Sequence, residues 1–154
     1  MKASLADIRN FIEVDDQVGT AGQPTAEQFR AMRAAGYEAV VNLLPREQKN
    51  ALKDEDTLIR ELGMEYYYIP VVWSAPQQQD FVAFCEVMER LEGRRTFVHC
   101  AMNMRVTAFY SSYAIKYLGW TEDKADALVA RVWHASPGDR MDDTWREFIA
   151  RIRH

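Results

Sequence analysis

Residues 96–118 read TFVHCAMNMRVTAFYSSYAIKYL. TFVH is a short apolar run with the composition of a buried strand, and Cys100 follows it directly. The helical pattern beyond reaches Leu118, with Gly119 as its stop. The segment therefore predicts a strand, a short loop at Cys100, and a helix opened by Arg105. A helix N-terminus offers N–H groups without intrahelical acceptors and the positive end of a dipole. Both attract an anion and favour a thiolate, which is a strong nucleophile. Arg105 adds a planar fork suited to two oxygens of one phosphate. The amides of Ala101, Met102, Asn103 and Met104 lie between thiol and guanidinium and would complete the cradle. Thr107 is placed to donate a hydroxyl to the thiolate.

Working outward, helix and strand alternate. Phe11–Val14 and Val18–Ala21 read as two strands around Asp15-Asp16. Thr25 and Gln28 have the form of a capping box, Phe29 and Met32 share a helical face, and Gly36 suits the C′ position. EAVVNLLP reads as a buried strand ended by Pro45. A helix is expected from Lys49 to Leu62, stopped by Gly63, and MEYYYIPV as the next strand. Pro76 would sit in the first turn of a helix with the stripe Phe81, Phe84, Cys85, Met88 and Leu91. After Gly119, Thr121 opens a helix with Ala125, Leu128, Val129, Val132 and Trp133 inward. Thr144 and Glu147 are expected to box the last helix, with Trp145, Phe148, Ile149 and Ile152 inward. The reading is an α/β fold of three layers, a mostly parallel central sheet with helices on both faces, forming one domain over residues 1–154. In such sheets ligands bind beyond the C-terminal strand ends, where Cys100 lies.

Composition narrows the function classes. The 154 residues are 48% hydrophobic and 27% charged, an ordinary globular balance. Nineteen Lys and Arg against 23 Asp and Glu leave a net charge of −4, without the basic excess of a nucleic-acid binder. Two cysteines make no disulfide framework, and the three histidines show no metal spacing, so no cofactor is expected. The N-terminal MKASLADIRNF lacks the apolar core of a signal peptide, and no apolar run approaches a membrane span. The expectation is a cytoplasmic protein with neither membrane nor nucleic-acid partner.

The Cys100 segment resembles the cysteine-dependent protein tyrosine phosphatases, in their compact dual-specificity branch, whose members carry His-Cys, five residues, Arg, then Ser or Thr. GTAGQPTAEQFRAMRAAGYEAVVNLLP is similar to the opening segment of a bacterial phosphatase-like branch. YYYIPVVWSAPQQQDFVAFCEVMERLEGRRTFVHC is similar to the strand, acid loop, helix and strand before the nucleophile. The match covers roughly residues 14 to 133. The resemblance implies a phosphomonoester hydrolase in which Cys100 forms a phosphocysteine. It further implies that Arg105 holds the phosphoryl group, His99 tunes the thiol, and Thr107 assists thiolate departure. The expected partner is a phosphorylated protein or small phosphomonoester, with phosphate or sulfate as an anion at the loop.

The chain departs from that pattern in three ways. Four residues, not five, separate Cys100 from Arg105. The loop has no glycine, and only Asn103 readily tolerates positive φ. The general acid is missing where the branch has Asp, two residues after Val71, because Trp73 stands there. Asp80 is the nearest carboxylate downstream and the candidate acid; Asp139, Asp142 and Asp143 are more remote. Cys85 and Tyr66–Tyr68 read as packing, Trp73 as a core anchor of its loop or a flank for a substrate ring, and Gln23 and Arg46, by their loop positions, as pocket borders. Two other classes compete. Rhodanese-like sulfurtransferases place Cys and Arg at this four-residue spacing and need no acid, carrying sulfur as a Cys100 persulfide. A pseudophosphatase would keep the phosphate-binding loop and lose the chemistry.

Overall fold

The computed structural model describes residues 4–134 and 141–154. Its strands are β1 (Ile12–Glu13), β2 (Val18–Ala21), β3 (Ala39–Asn42), β4 (Glu65–Tyr68) and β5 (Thr96–His99). Its helices are α1 (Ala26–Ala34), α2 (Glu55–Glu61), α3 (Gln78–Arg90), α4 (Met104–Tyr117), α5 (Glu122–Trp133) and α6 (Asp143–Arg153). The strands form one sheet in the order β1-β2-β5-β3-β4, parallel throughout except for β1 at its edge. β5 is central: His99 pairs with Ala21 on one side and Asn42 on the other.

Period-two alternation sends neighbouring strand residues to opposite faces, and two apolar layers result. Val41 and Val98 meet Phe84, Phe109, Trp133 and Phe148 from α3 to α6. Val40 and Phe97 meet Phe29 and Met32 of α1 and Ile59 of α2. The tyrosine run divides likewise, Tyr67 against the first layer and Tyr66 against the second. Helices thus cover both faces, as the alternation implied. No helix among the described residues is long and apolar enough to cross a membrane.

Most local signals act as read. Thr25 and Gln28 close a reciprocal capping box, and Thr121 caps α5 through the Lys124 N–H. Gly36 and Gly63 hold φ of +99° and +80° just past α1 and α2, where a Cβ would be strained.

Four helix starts differ. The helix expected from Lys49 begins only at Glu55, because 49–54 offers no continuous apolar stripe and Asp54 is left-handed at φ +57°. Pro76 lies before the α3 cap, Gln77, which is extended. Met104, not Arg105, opens α4, after Asn103 at φ +67°. Asp142, not Thr144, caps α6, accepting the Trp145 N–H at 2.9 Å. A carboxylate there both satisfies an orphan donor and complements the helix dipole.

Candidate active site

The end of β5 builds the site. Cys100 follows His99 without an intervening residue, and its N–H donates to the Ala21 carbonyl at 3.3 Å. The chain then turns through Ala101, Met102 and Asn103 into α4. Asn103 supplies the one left-handed residue of this glycine-free loop, and its Nδ2 donates to the Asn10 carbonyl (2.8 Å) and to Thr20 Oγ1 (3.0 Å). On the outer side Asn10 Nδ2 donates to the Met102 carbonyl at 2.9 Å, and the Gln23 N–H to the Ala101 carbonyl at 3.0 Å. Gly22 runs so close that a Cβ there would lie 2.3 Å from the Ala101 carbonyl oxygen. The loop is therefore clamped from the segments around Asn10 and Gly22, and this site depends on glycine in β2's exit rather than in the loop.

A cavity of about 440 Å³ opens over the loop. Cys100, Arg105, Trp73 and Gln48 are among its lining residues, with Met102 and Met104 adding apolar surface. The 46–54 segment, free of the expected helix, contributes Gln48, Lys49 and Asn50. Cys100 is 1% exposed and Arg105 4%. Arg105 Nη2 donates to Gln48 Oε1 at 3.1 Å, its guanidinium lies over the Trp73 ring, and its Nε is buried without an acceptor among the described residues. Burial lowers the basicity of Arg105, and the adjoining Cys100 only partly offsets this. A buried cation with no bonded carboxylate is costly to keep, and the arrangement suits an incoming anion.

Beneath the loop His99 is fully buried. Its Nε2 is 2.8 Å from Glu55 Oε2 and its Nδ1 3.1 Å from the Cys100 carbonyl oxygen. Glu55 is itself buried and also accepts from Gln23 Nε2 at 2.7 Å and Tyr66 Oη at 3.2 Å. Burial pushes the Glu55 carboxyl up, but His99, Gln23 and Tyr66 together hold it below the ordinary value. Sequence reading missed Glu55, having placed it in mid-helix. Its only local signal is an acid in the first turn of a helix, which is usually solvated.

The expected site residues are brought together unevenly. Cys100, Ala101, Met102, Met104 and Arg105 share the cavity lining; Asn103 and His99 support it from within. Thr107 departs from the expectation. Its hydroxyl donates to the carbonyls of Asn103 (2.9 Å) and Met104 (3.1 Å), acceptors that the first turn of α4 offers it. Asp80 is in the first turn of α3 and is not among the cavity's lining residues. Partial burial raises its carboxyl, and a backbone hydrogen bond at Gln77 tempers the rise. Asp142 is committed to the α6 cap, Asp143 to Arg146 at 2.5 Å, and Asp139 lies outside the described residues. Among the described residues no carboxylate lines the cavity. Trp73 both anchors its loop and walls the site: it stacks on Trp133, and its carbonyl accepts from Trp145 Nε1 at 2.9 Å. Gln23 serves Glu55 rather than the cavity, and Arg46 lies over the Tyr68 ring. Cys85 sits in the α3 packing, where burial pushes its thiol up to about 12.

Comparison with known proteins places this architecture. A provisionally assigned phosphatase (DUF442) of Shewanella putrefaciens CN-32 is 30% identical, with a TM-score of 0.83 over 96% of this chain and 91% of that one. The core catalytic domain of the S. cerevisiae PP-IP phosphatase SIW14, solved with citrate, shares the fold at 15% identity. Its TM-score is 0.73 over 93% of this chain and 85% of its own. Among curated relatives, a beta-lactamase hydrolase-like protein of Xylella fastidiosa is 25% identical over 121 residues, 77% of this chain. The aligned stretch is 28% of that relative, so the chain spans little more than a quarter of it. No family model matches the chain.

Proposed function

The chain belongs to the cysteine-dependent protein tyrosine/dual-specificity phosphatase superfamily, and from that premise we propose that it hydrolyses phosphomonoesters through a Cys100 phosphocysteine. The observation that carries this is Arg105. It is a guanidinium 4% exposed, bonded to the neutral Gln48, with Nε unpaired among the described residues, beside a thiol at a helix N-terminus. A phosphoryl dianion would supply the missing charge and acceptors. The sulfur attacks phosphorus, the ester P–O bond breaks, and the alcohol leaves. Water then cleaves the P–S bond, releasing phosphate and restoring the thiol. The leaving oxygen takes its proton from solvent, since no carboxylate among the described residues lines the cavity. Such an enzyme is slow with poor leaving groups, by about 10²–10⁴-fold relative to one with a positioned acid.

The second reading, a phosphate-binding module without turnover, draws on the same missing carboxylate and on Thr107, whose hydroxyl is engaged by α4. A side-by-side assay separates the classes. Purified protein is given p-nitrophenyl phosphate, and separately thiosulfate with cyanide. Cys100-dependent p-nitrophenolate release is the expected result. Thiocyanate formation would establish sulfur transfer instead, and phosphate binding without either product would leave the module.

A further inference from the structure

The hydrogen bonds under the loop favour a charge that no sequence motif announces. The Cys100 carbonyl oxygen can only accept, so His99 Nδ1, 3.1 Å away, carries a proton. The other ring nitrogen faces Glu55 Oε2 at 2.8 Å, and one proton lies between them. The groups behind Glu55 bias its location. The Leu44 N–H donates to Asn42 Oδ1 at 2.8 Å, which turns Asn42 Nδ2 toward Tyr66 Oη at 2.9 Å. Tyr66 Oη, already accepting there, gives its own proton to Glu55 Oε2 at 3.2 Å, and Gln23 Nε2 donates to Oε1 at 2.7 Å. Donors on both carboxyl oxygens favour the ionised form, which leaves the shared proton on the ring.

We propose that His99 is an imidazolium locked by the buried Glu55 carboxylate, and that Glu55 is thereby a positioning residue for the Cys100 thiolate. The ring's positive end reaches the loop as an N–H on the Cys100 carbonyl, polarising the peptide that bears the nucleophile. The groups around the ring are Glu55 from α2, Tyr66 of β4 acting through Glu55, the Cys100 peptide, and the edge of Phe29 from α1, 5.7 Å between centroids. Glu55 is the charged side chain bonded to the ring. The protonation state stands apart from the phosphatase reading; only its catalytic consequence rests on that reading.

The test needs no turnover. Long-range ¹H–¹⁵N spectra of labelled protein at neutral pH should show protons on both His99 ring nitrogens, with the signals assigned by their loss in His99→Asn. In Glu55→Gln one ring nitrogen should lose its proton. Alkylation of Cys100 by iodoacetamide, followed in a Cys85→Ser background, should then slow by about threefold or more. One bare nitrogen in the wild-type ring overturns the proposal. So does an imidazolium that persists in folded Glu55→Gln, or an unchanged alkylation rate once the proton is gone. If Glu55→Gln does not fold, the wild-type spectrum alone decides.

Discussion

Arg105 lies over the face of Trp73, its guanidinium carbon 5.3 Å from the ring centroid. The residue standing where the branch has its acid is thus a wall for the cation that would grip the substrate. Trp73 is in turn stacked on Trp133 of α5 and tilted against Trp145 of α6, so packing from two helices sets the guanidinium's position. Replacing Arg105 by Lys keeps the charge but loses the fork and the planar stacking. Turnover of p-nitrophenyl phosphate should fall by about 10²–10³-fold, and phosphate should cease to protect Cys100 from alkylation. Retention of both would remove Arg105 from the site.

The two thiols should behave oppositely. Cys100→Ser should abolish turnover, because a hydroxyl at neutral pH lacks the thiolate's reactivity. Cys85→Ser should leave turnover near wild type with a modest loss of thermal stability, since Cys85 packs within α3's buried stripe. Equal losses in folded protein would contradict the assignment.

Rate should depend steeply on leaving-group acidity. Aryl phosphates with acidic phenols should be hydrolysed and phosphoserine poorly, and Asp80→Asn should leave the slope unaltered because Asp80 does not line the cavity. A leaving-group series on both proteins reads this directly. A flat series in wild type means that an efficient acid reaches the site, and flattening lost in Asp80→Asn would identify it.

Gly22→Ala should disable the loop without touching a reactive group. The added methyl would meet the Ala101 carbonyl oxygen at 2.3 Å, and backbone must move to relieve it. A stability loss of about 1–3 kcal/mol is expected, with a larger fall in turnover than in melting temperature. Urea titration and p-nitrophenyl phosphate kinetics on one preparation give both numbers.

Acid should destabilise the protein through Glu55. Its folded-state carboxyl is held below the ordinary value of 4.5, the value it regains on unfolding. The contribution is therefore fully present above about pH 4.5 and is lost as pH falls through the lower folded value. Glu55→Gln should reduce the acid slope of stability while lowering stability at neutral pH by about 3–5 kcal/mol, the cost of breaking a buried pair. Urea midpoints measured across that range test the sign.

The elements were legible wherever a local rule governs them. β5 and α4 follow from periodicity, α1 and α5 from their caps, and the left-handed turn at Asn103 from the exclusion of its neighbours Ala101, Met102 and Met104. Cys100 and Arg105 were legible because a strand end, a short loop and a helix start are consecutive in the chain. Boundaries failed where the signals were ambiguous, as at Lys49–Asp54, whose polar residues permit a helix that tertiary contacts do not reward.

What the sequence alone determined about this protein is the order of helices and strands, the parallel sheet, and the thiol and guanidinium at the exit of one strand, since each depends on near neighbours. What only the tertiary structure decided is which distant groups meet there. Glu55 reaches His99 across 44 positions, Asn103 reaches Thr20 across 83, and Gln48 reaches Arg105 across 57. Thr107, legible as a thiolate partner by spacing, is turned to its own helix's carbonyls instead. The physical reason is that hydrogen bonds and ion pairs are satisfied in three dimensions. A polar side chain's partner is whichever group the packed core leaves within about 3 Å, and sequence separation does not enter.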